Sequence, residues 1–129
     1  MNVGVGQYIY RNLSLIDKSL KVFPVIADFN TADPVTPFAV YQRTSCSPDY
    51  TKDLFTGNIR HNYSVTIADN NYTNTVTLTE RIINAMLALS HKDEKDMRFG
   101  QVLLVDLSED FIDGIYTQTL QFEINTSSK

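Results

Sequence analysis

The clearest pattern in the chain lies between Ile59 and Ile67, where Ile59, His61, Tyr63, Val65 and Ile67 are interleaved with Arg60, Asn62, Ser64 and Thr66. A period of two places these sets on opposite faces of one strand, so the segment is predicted as a long, half-buried strand with one wet face. The end of the chain alternates in the same way. Tyr116, Leu120, Phe122 and Ile124 fall on one face and Thr117, Thr119, Gln121 and Glu123 on the other, with Gln118 the one polar residue on the apolar side.

Two other segments carry a helical period. Tyr8, Ile9, Leu13, Ile16 and Leu20 line one side of a helix running from about Val5 to Lys18. Val76, Leu78, Ile82, Ile83, Met86, Leu87 and Leu89 predict a second helix over Tyr72 to Ser90. Shorter apolar runs complete the set: VFPVI, whose Pro24 marks a strand edge or end, the run Phe38 to Thr44, and QVLLVDL after Gly100. Between them, ADFNTADPVTP, SPDYTKDLFTGN and SEDFIDG read as exposed connections rich in turn formers.

The predicted order is therefore α, β, β, β, α, β, β. It corresponds to an α+β domain, a mostly antiparallel β-sheet with two helices packed on one face. With 129 residues, the chain has the length of a single domain over 1–129 and can bury one core.

Composition narrows the functional classes. Fifteen acidic against eleven basic side chains give a net charge of −4, with no run of Lys or Arg that could neutralise several phosphates, which disfavours tight nucleic-acid binding. Cys46 is alone, so neither an internal disulfide nor a paired-cysteine zinc site is expected, and the chain suits a reducing cytosol. No segment reaches the roughly 18 apolar residues of a membrane span and MNVGVGQYIYRN lacks the pattern of a signal peptide, so neither export nor membrane insertion is expected.

Candidate chemistry is sparse. His61 falls on the apolar face of its strand and is expected to be a hydrogen-bonded core histidine, while His91 sits in a charged helix end where a cation is favoured. Neither has a second ligand at metal spacing, and no elbow motif surrounds Cys46. Glu109, Asp110 and Asp113 could act as paired carboxylates, but they lack calcium-loop spacing and lie at an apparent hairpin, where turn chemistry accounts for them. KDEKD, Lys92 to Asp96, reads as a solvated linker. GVG at positions 4 to 6 has neither a preceding strand nor a following GK[ST], so it is not a phosphate loop. No catalytic, cofactor-binding or metal-binding residues are predicted, and the chain is not expected to be an enzyme.

One resemblance spans roughly Val5 to Asn125. A leading helix, VFPVI, a polar loop and PFAVYQRTSCSPDY, followed by IRHNYSVTIADNNY, VTLTERIINAMLAL and LVDLSEDFIDGIYTQTLQFEI, is similar to the tail completion family of tailed bacteriophages, the tail-terminator or head–tail joining proteins. The chain departs from that pattern in having Leu20 and Lys21, rather than a helix-ending glycine, just before VFP, and in a longer loop over Ala27 to Thr36. The resemblance implies a virion assembly protein. Such a protein forms a ring, commonly of six copies, that caps the head-proximal end of the tail tube, stops its polymerisation and joins it to the head connector.

The partners so implied are the chain itself, the tail tube protein and the connector, with DNA passing through the ring. The location implied is the bacterial host cytoplasm during assembly and then the virion. The loops Ala27 to Thr36 and Ser47 to Asn58 become candidate contact elements. Tyr50, Leu54 and Phe55 would be apolar anchors, and Asp28, Phe29, Asp33, Asp49 and Asp53 further interface residues of the two loops. The alternatives from other classes are a monomeric adaptor or ligand-binding module, another head–tail connector component, or a small enzyme using His61 or the carboxylates near Asp110.

Overall fold

The computed structural model describes residues 1–25 and 36–128. Two helices pack on one face of a five-stranded sheet. The elements are α1 (Val5–Ser14), β1 (Lys21–Pro24), β2 (Phe38–Thr51), β3 (Leu54–Asp69), α2 (Tyr72–Leu87), β4 (Met97–Ile112) and β5 (Ile115–Ser128). The sheet order is β1-β2-β3-β5-β4, antiparallel throughout except for the parallel pair β1–β2. This is the predicted α+β architecture in the predicted order.

The alternation of β3 and β5 sets the core. Their cross-strand pairs Tyr63–Phe122, Val65–Leu120 and His61–Ile124 point towards the helices. Onto them α1 lays Val5, Tyr8, Ile9 and Leu13, and α2 lays Leu78, Ile82 and Met86, all buried. The edge of Tyr8 meets the ring of Phe99 at 5.7 Å, tying α1 to β4. The other sheet face carries Asn62, Ser64, Thr66, Thr119, Gln121 and Glu123, which no helix covers.

The termini of the helices have local causes. The Asn71 side chain caps α2 by accepting a hydrogen bond from Asn74 N at 2.9 Å, and Asp69 accepts from Asn74 Nδ2 and from Asn70 N. Helix α1 stops at Ser14, four residues short of the predicted Lys18. There the Asp17 carboxylate takes the Ser19 N–H and hydroxyl, and Leu20 N bonds Asp17 O, which turns the chain. Leu20 is still buried, so the apolar spacing that extended the prediction reports burial through a turn.

Two predicted connections are strands. SPDYTKDLFTGN forms the end of the β2–β3 hairpin, paired out to Thr51 and Leu54 with only Lys52 and Asp53 in the turn. SEDFIDG continues β4 to Ile112 and leaves Asp113 and Gly114 as the turn, with φ of 54° and 81° respectively. Positive φ at both turn residues is the type I′ geometry that Asp-Gly favours and that matches strand twist. Pro48 is tolerated because β1 pairs with β2 only over Phe38 to Tyr41, leaving the distal half of β2 as a free edge where a missing N–H costs no ladder bond.

Candidate assembly interface

The two long hairpins point in opposite directions. At one end of the sheet, β2–β3 continues past the last residues of β5, because Asn58 pairs with Ser127 and residues 49–56 project beyond it. At the other end, the β4–β5 turn lies level with the end of β3, where Asp69 pairs with Tyr116.

The β2–β3 tip collects five of the sequence-predicted contact residues. Tyr50 and Phe55 are cross-strand partners whose rings approach at 5.8 Å, Tyr50 more than half exposed and Phe55 partly so. Leu54 is 73% exposed beside them. Asp49 accepts a hydrogen bond from the Thr56 hydroxyl at 3.1 Å, which braces the stem below the tip, and Asp53 is exposed in the turn. These five therefore sit on a paired hairpin and not on the predicted loop; a two-residue turn presents them from a strand scaffold. Asp28, Phe29 and Asp33, the other predicted contacts, lie outside the described residues.

A second apolar surface was not foreseen. The distal half of β4 exposes Leu104, Val105, Leu107, Phe111 and Ile112 along the free edge of the sheet. At its end, Phe111, Tyr116 and Tyr72 form a chain of rings at 4.4 and 5.4 Å. Glu109 accepts from Tyr72 Oη at 2.9 Å and from Gln118 Nε2 at 2.8 Å, and this is how the polar residue on the apolar face of β5 is satisfied. The Tyr72 phenol is pushed up in pKa by that carboxylate. The recurrence of Leu107, Glu109 and Phe111 at a spacing of two was the available signal. The acidic residues between them made the segment read as a turn.

The carboxylates Glu109, Asp110 and Asp113 do not converge. Glu109 shares a sheet face with Gln118 and Asp110 pairs on the opposite face with Thr117, its Oδ1 accepting from Phe111 N at 2.8 Å, while Asp113 occupies the turn. Among the described residues no group of three or more His, Cys, Asp or Glu side chains is placed to hold a metal ion.

His61 is fully buried, with Nε2 3.1 Å from Thr126 Oγ1 and Nδ1 without a partner. Burial first, and the Arg43 guanidinium second, lower its pKa to about 4, so it is neutral at pH 7. Arg43 Nη2 is held by Val3 O and by Tyr63 Oη at 3.0 Å, an arrangement that pins the N-terminal segment over this part of the sheet. Cys46 is the cross-strand partner of His61, yet no hydrogen bond joins thiol and ring, and the imidazole has no path to solvent. The pair therefore lacks the geometry of an activated nucleophile and base.

On the uncovered sheet face an open groove of about 520 Å³ runs between the hairpin stem and β5, lined by Ser47, Asp49, Asn58, Arg60, Asn125 and Ser127. Arg60 there is paired to Glu123 at 3.4 Å. None of the described helices is long and apolar enough to cross a membrane.

No family model matches the chain, and no curated protein matches it. Among solved structures, a chain of the virion of a native gene transfer agent (GTA) particle matches with a TM-score of 0.65 and 8% identity, over 93% of this chain and 92% of that one. The two chains share a fold. The correspondence covers both chains nearly end to end rather than a sheet fragment alone.

Proposed function

We propose that the chain is a structural protein of a phage-type virion, acting as the ring subunit that caps the head-proximal end of the tail tube, ends tube polymerisation and joins the tail to the head connector. The observation that carries this reading is the end-to-end fold likeness to a chain of a GTA virion, which agrees with the tail-completion resemblance of the sequence.

The surface supports it. A subunit of a ring through which DNA slides should not grip phosphate, and a chain of net charge −4 without a basic run meets that condition. The tip formed by Tyr50, Leu54 and Phe55, flanked by Asp49 and Asp53, projects from one end of the sheet as a contact element for the tube or the connector. Assembly takes place in the host cytoplasm, and the ring stays in the virion as part of the tail.

The reading is tested by adding the purified protein to polymerising tail tube protein of the same particle and measuring tube lengths and tube ends by electron microscopy. Capping predicts a ring density at one end only and a halt in elongation, and Leu54→Asp weakens both. Tubes that elongate unchanged and carry no end density would refute tail termination and leave the adaptor role.

A further inference from the structure

Among the described strands the sheet ends in β1 on one side and β4 on the other, and these edges differ in charge. No Lys or Arg occurs between Arg98 and Lys129, whereas Asp106, Glu109, Asp110 and Asp113 all lie on the distal half of β4 or its turn, exposed and, among the described residues, without a cationic partner. The opposite edge presents Lys18 and Lys21, both exposed and, among the described residues, neither in an ion pair. Two carboxylates near these lysines or acids are already committed: Asp17 to Ser19 and Arg81, and Glu109 to Tyr72 and Gln118.

The two edges also agree in height and direction. Pairing across the sheet links Lys21 to Phe38, Phe38 to Ala68, Ala68 to Thr117 and Thr117 to Asp110, so Lys21 and Asp110 stand at the same level, on the face away from the helices. Three rows further, Pro24 lines up through Tyr41, Val65 and Leu120 with Leu107. Because β1 is parallel to β2 and every other pair is antiparallel, β1 and β4 run in opposite directions. A neighbour placed along the strand order without inversion therefore sets its β1 antiparallel to this β4, at matching height.

We propose that β4 of one copy docks along β1 of the next, head to tail, with Asp110 facing Lys21, Asp113 on the side of Lys18, and the exposed Leu107 and Val105 covered against the apolar side chains of the β1 edge. This inference rests on the ring reading and assigns its interface. The contact is heterologous, using two different patches of each subunit, and such contacts close into rings when the rotation between copies divides the circle. Sheet twist supplies a rotation at each step. Exposed Leu15 and Val25 flank the lysines, so both edges alternate charge with apolar surface. The β1 strand is four residues long and its Pro24 offers no N–H, so side chains rather than a long main-chain ladder carry the contact. The bulges of β4, between Phe99 and Val102 and between Leu104 and Asp106, disfavour indiscriminate strand addition, which leaves partner choice to the charges.

The test is charge reversal read by native mass spectrometry over a concentration series, with circular dichroism to verify the fold of each variant. Lys21→Glu alone and Asp110→Lys alone should each raise the concentration for half-assembly about tenfold. The two together should restore it, and Lys95→Glu, the same charge change in the turn before β4 and far from its distal half, should leave it unaltered. Single variants that assemble like the wild type, or a double variant weaker than either single one, would overturn the proposed interface while the ring itself stands. A wild-type protein that is monomeric at every concentration would overturn the self-assembling ring and this interface with it.

Discussion

Replacing His61 by Gln should flatten the dependence of stability on pH between 7 and 5. In the folded chain His61 has a pKa of about 4, lowered by burial and then by Arg43. In the unfolded chain it returns to about 6.5. The folded pKa is the lower one, so the unfolded state binds the proton more readily below pH 6.5. Stability is then complete above that value and is lost as pH falls towards 4. One pKa unit corresponds to about 1.36 kcal/mol, which sets a ceiling of about 3 kcal/mol at the acid end of this window. Between pH 7 and pH 5 the two pKa values account for about 2 kcal/mol of it.

The assay is urea denaturation of wild type and His61→Gln at pH 7 and pH 5, at fixed protein concentration because association would otherwise shift the midpoint. Gln is uncharged at both pH values and keeps an amide that can reach the Thr126 hydroxyl. Wild type should lose about 2 kcal/mol more than the variant between the two pH values. The reasoning would be refuted by equal losses, or by an NMR titration in which the His61 ring protonates near 6.5 in the folded protein.

Three further substitutions test the fold by the same denaturation measurement. Leu120→Ala removes a fully buried side chain from the centre of β5 and should cost about 2–5 kcal/mol; a loss under 1 kcal/mol would mean the core collapses around the site. Asn71→Ala deletes the cap on Asn74 N and should cost about 1 kcal/mol, whereas an unchanged midpoint would show that water replaces it fully. Lys52→Gly relieves a left-handed residue with φ of 52° in the β2–β3 turn and should gain about 0.5–1 kcal/mol, a loss arguing against that turn geometry.

The elements legible in the sequence were those whose two faces meet different surroundings. In β3 and the second half of β5 one face meets the helices and the other meets water, so residues such as Val65 and Ser64 differ in type and the period of two shows. Helix α2 shows its period for the same reason. Where a strand leaves the body of the sheet, that contrast disappears: from Leu103 to Ile112 in β4 every residue is exposed, and the hairpin tip around Lys52 has no core to face. Composition there fell back on Asp, Ser, Pro and Thr, the same types that make loops. Tyr50, Leu54 and Phe55 were singled out by a physical cue that survives this loss, apolar groups in wet surroundings, and the structure sets them together at the β2–β3 tip. Leu104, Val105 and Leu107 were passed over because they sat next to a run already read as an ordinary strand.

Charge shows the remaining limit of sequence reading, and also what topology adds to it. The absence of any base between Arg98 and Lys129 is visible in the sequence, but along a chain it is only an acidic stretch. The strand order gives it a direction: the sheet places β1, near the start of the chain, on one edge and β4 on the other, so segregation along the sequence becomes segregation across the sheet. An isolated monomer gains little from opposite charges at its two edges, since they are too far apart to attract one another through about 10 Å of screening length at ordinary salt. In the proposed docking of β4 on the next copy's β1 the same charges come within contact distance, and each interface of a closed ring would gain from them equally. Under the proposed docking, that difference ties the acidic edge to assembly and predicts that the salt dependence of assembly follows substitutions on β4 and β1 rather than at the β2–β3 tip.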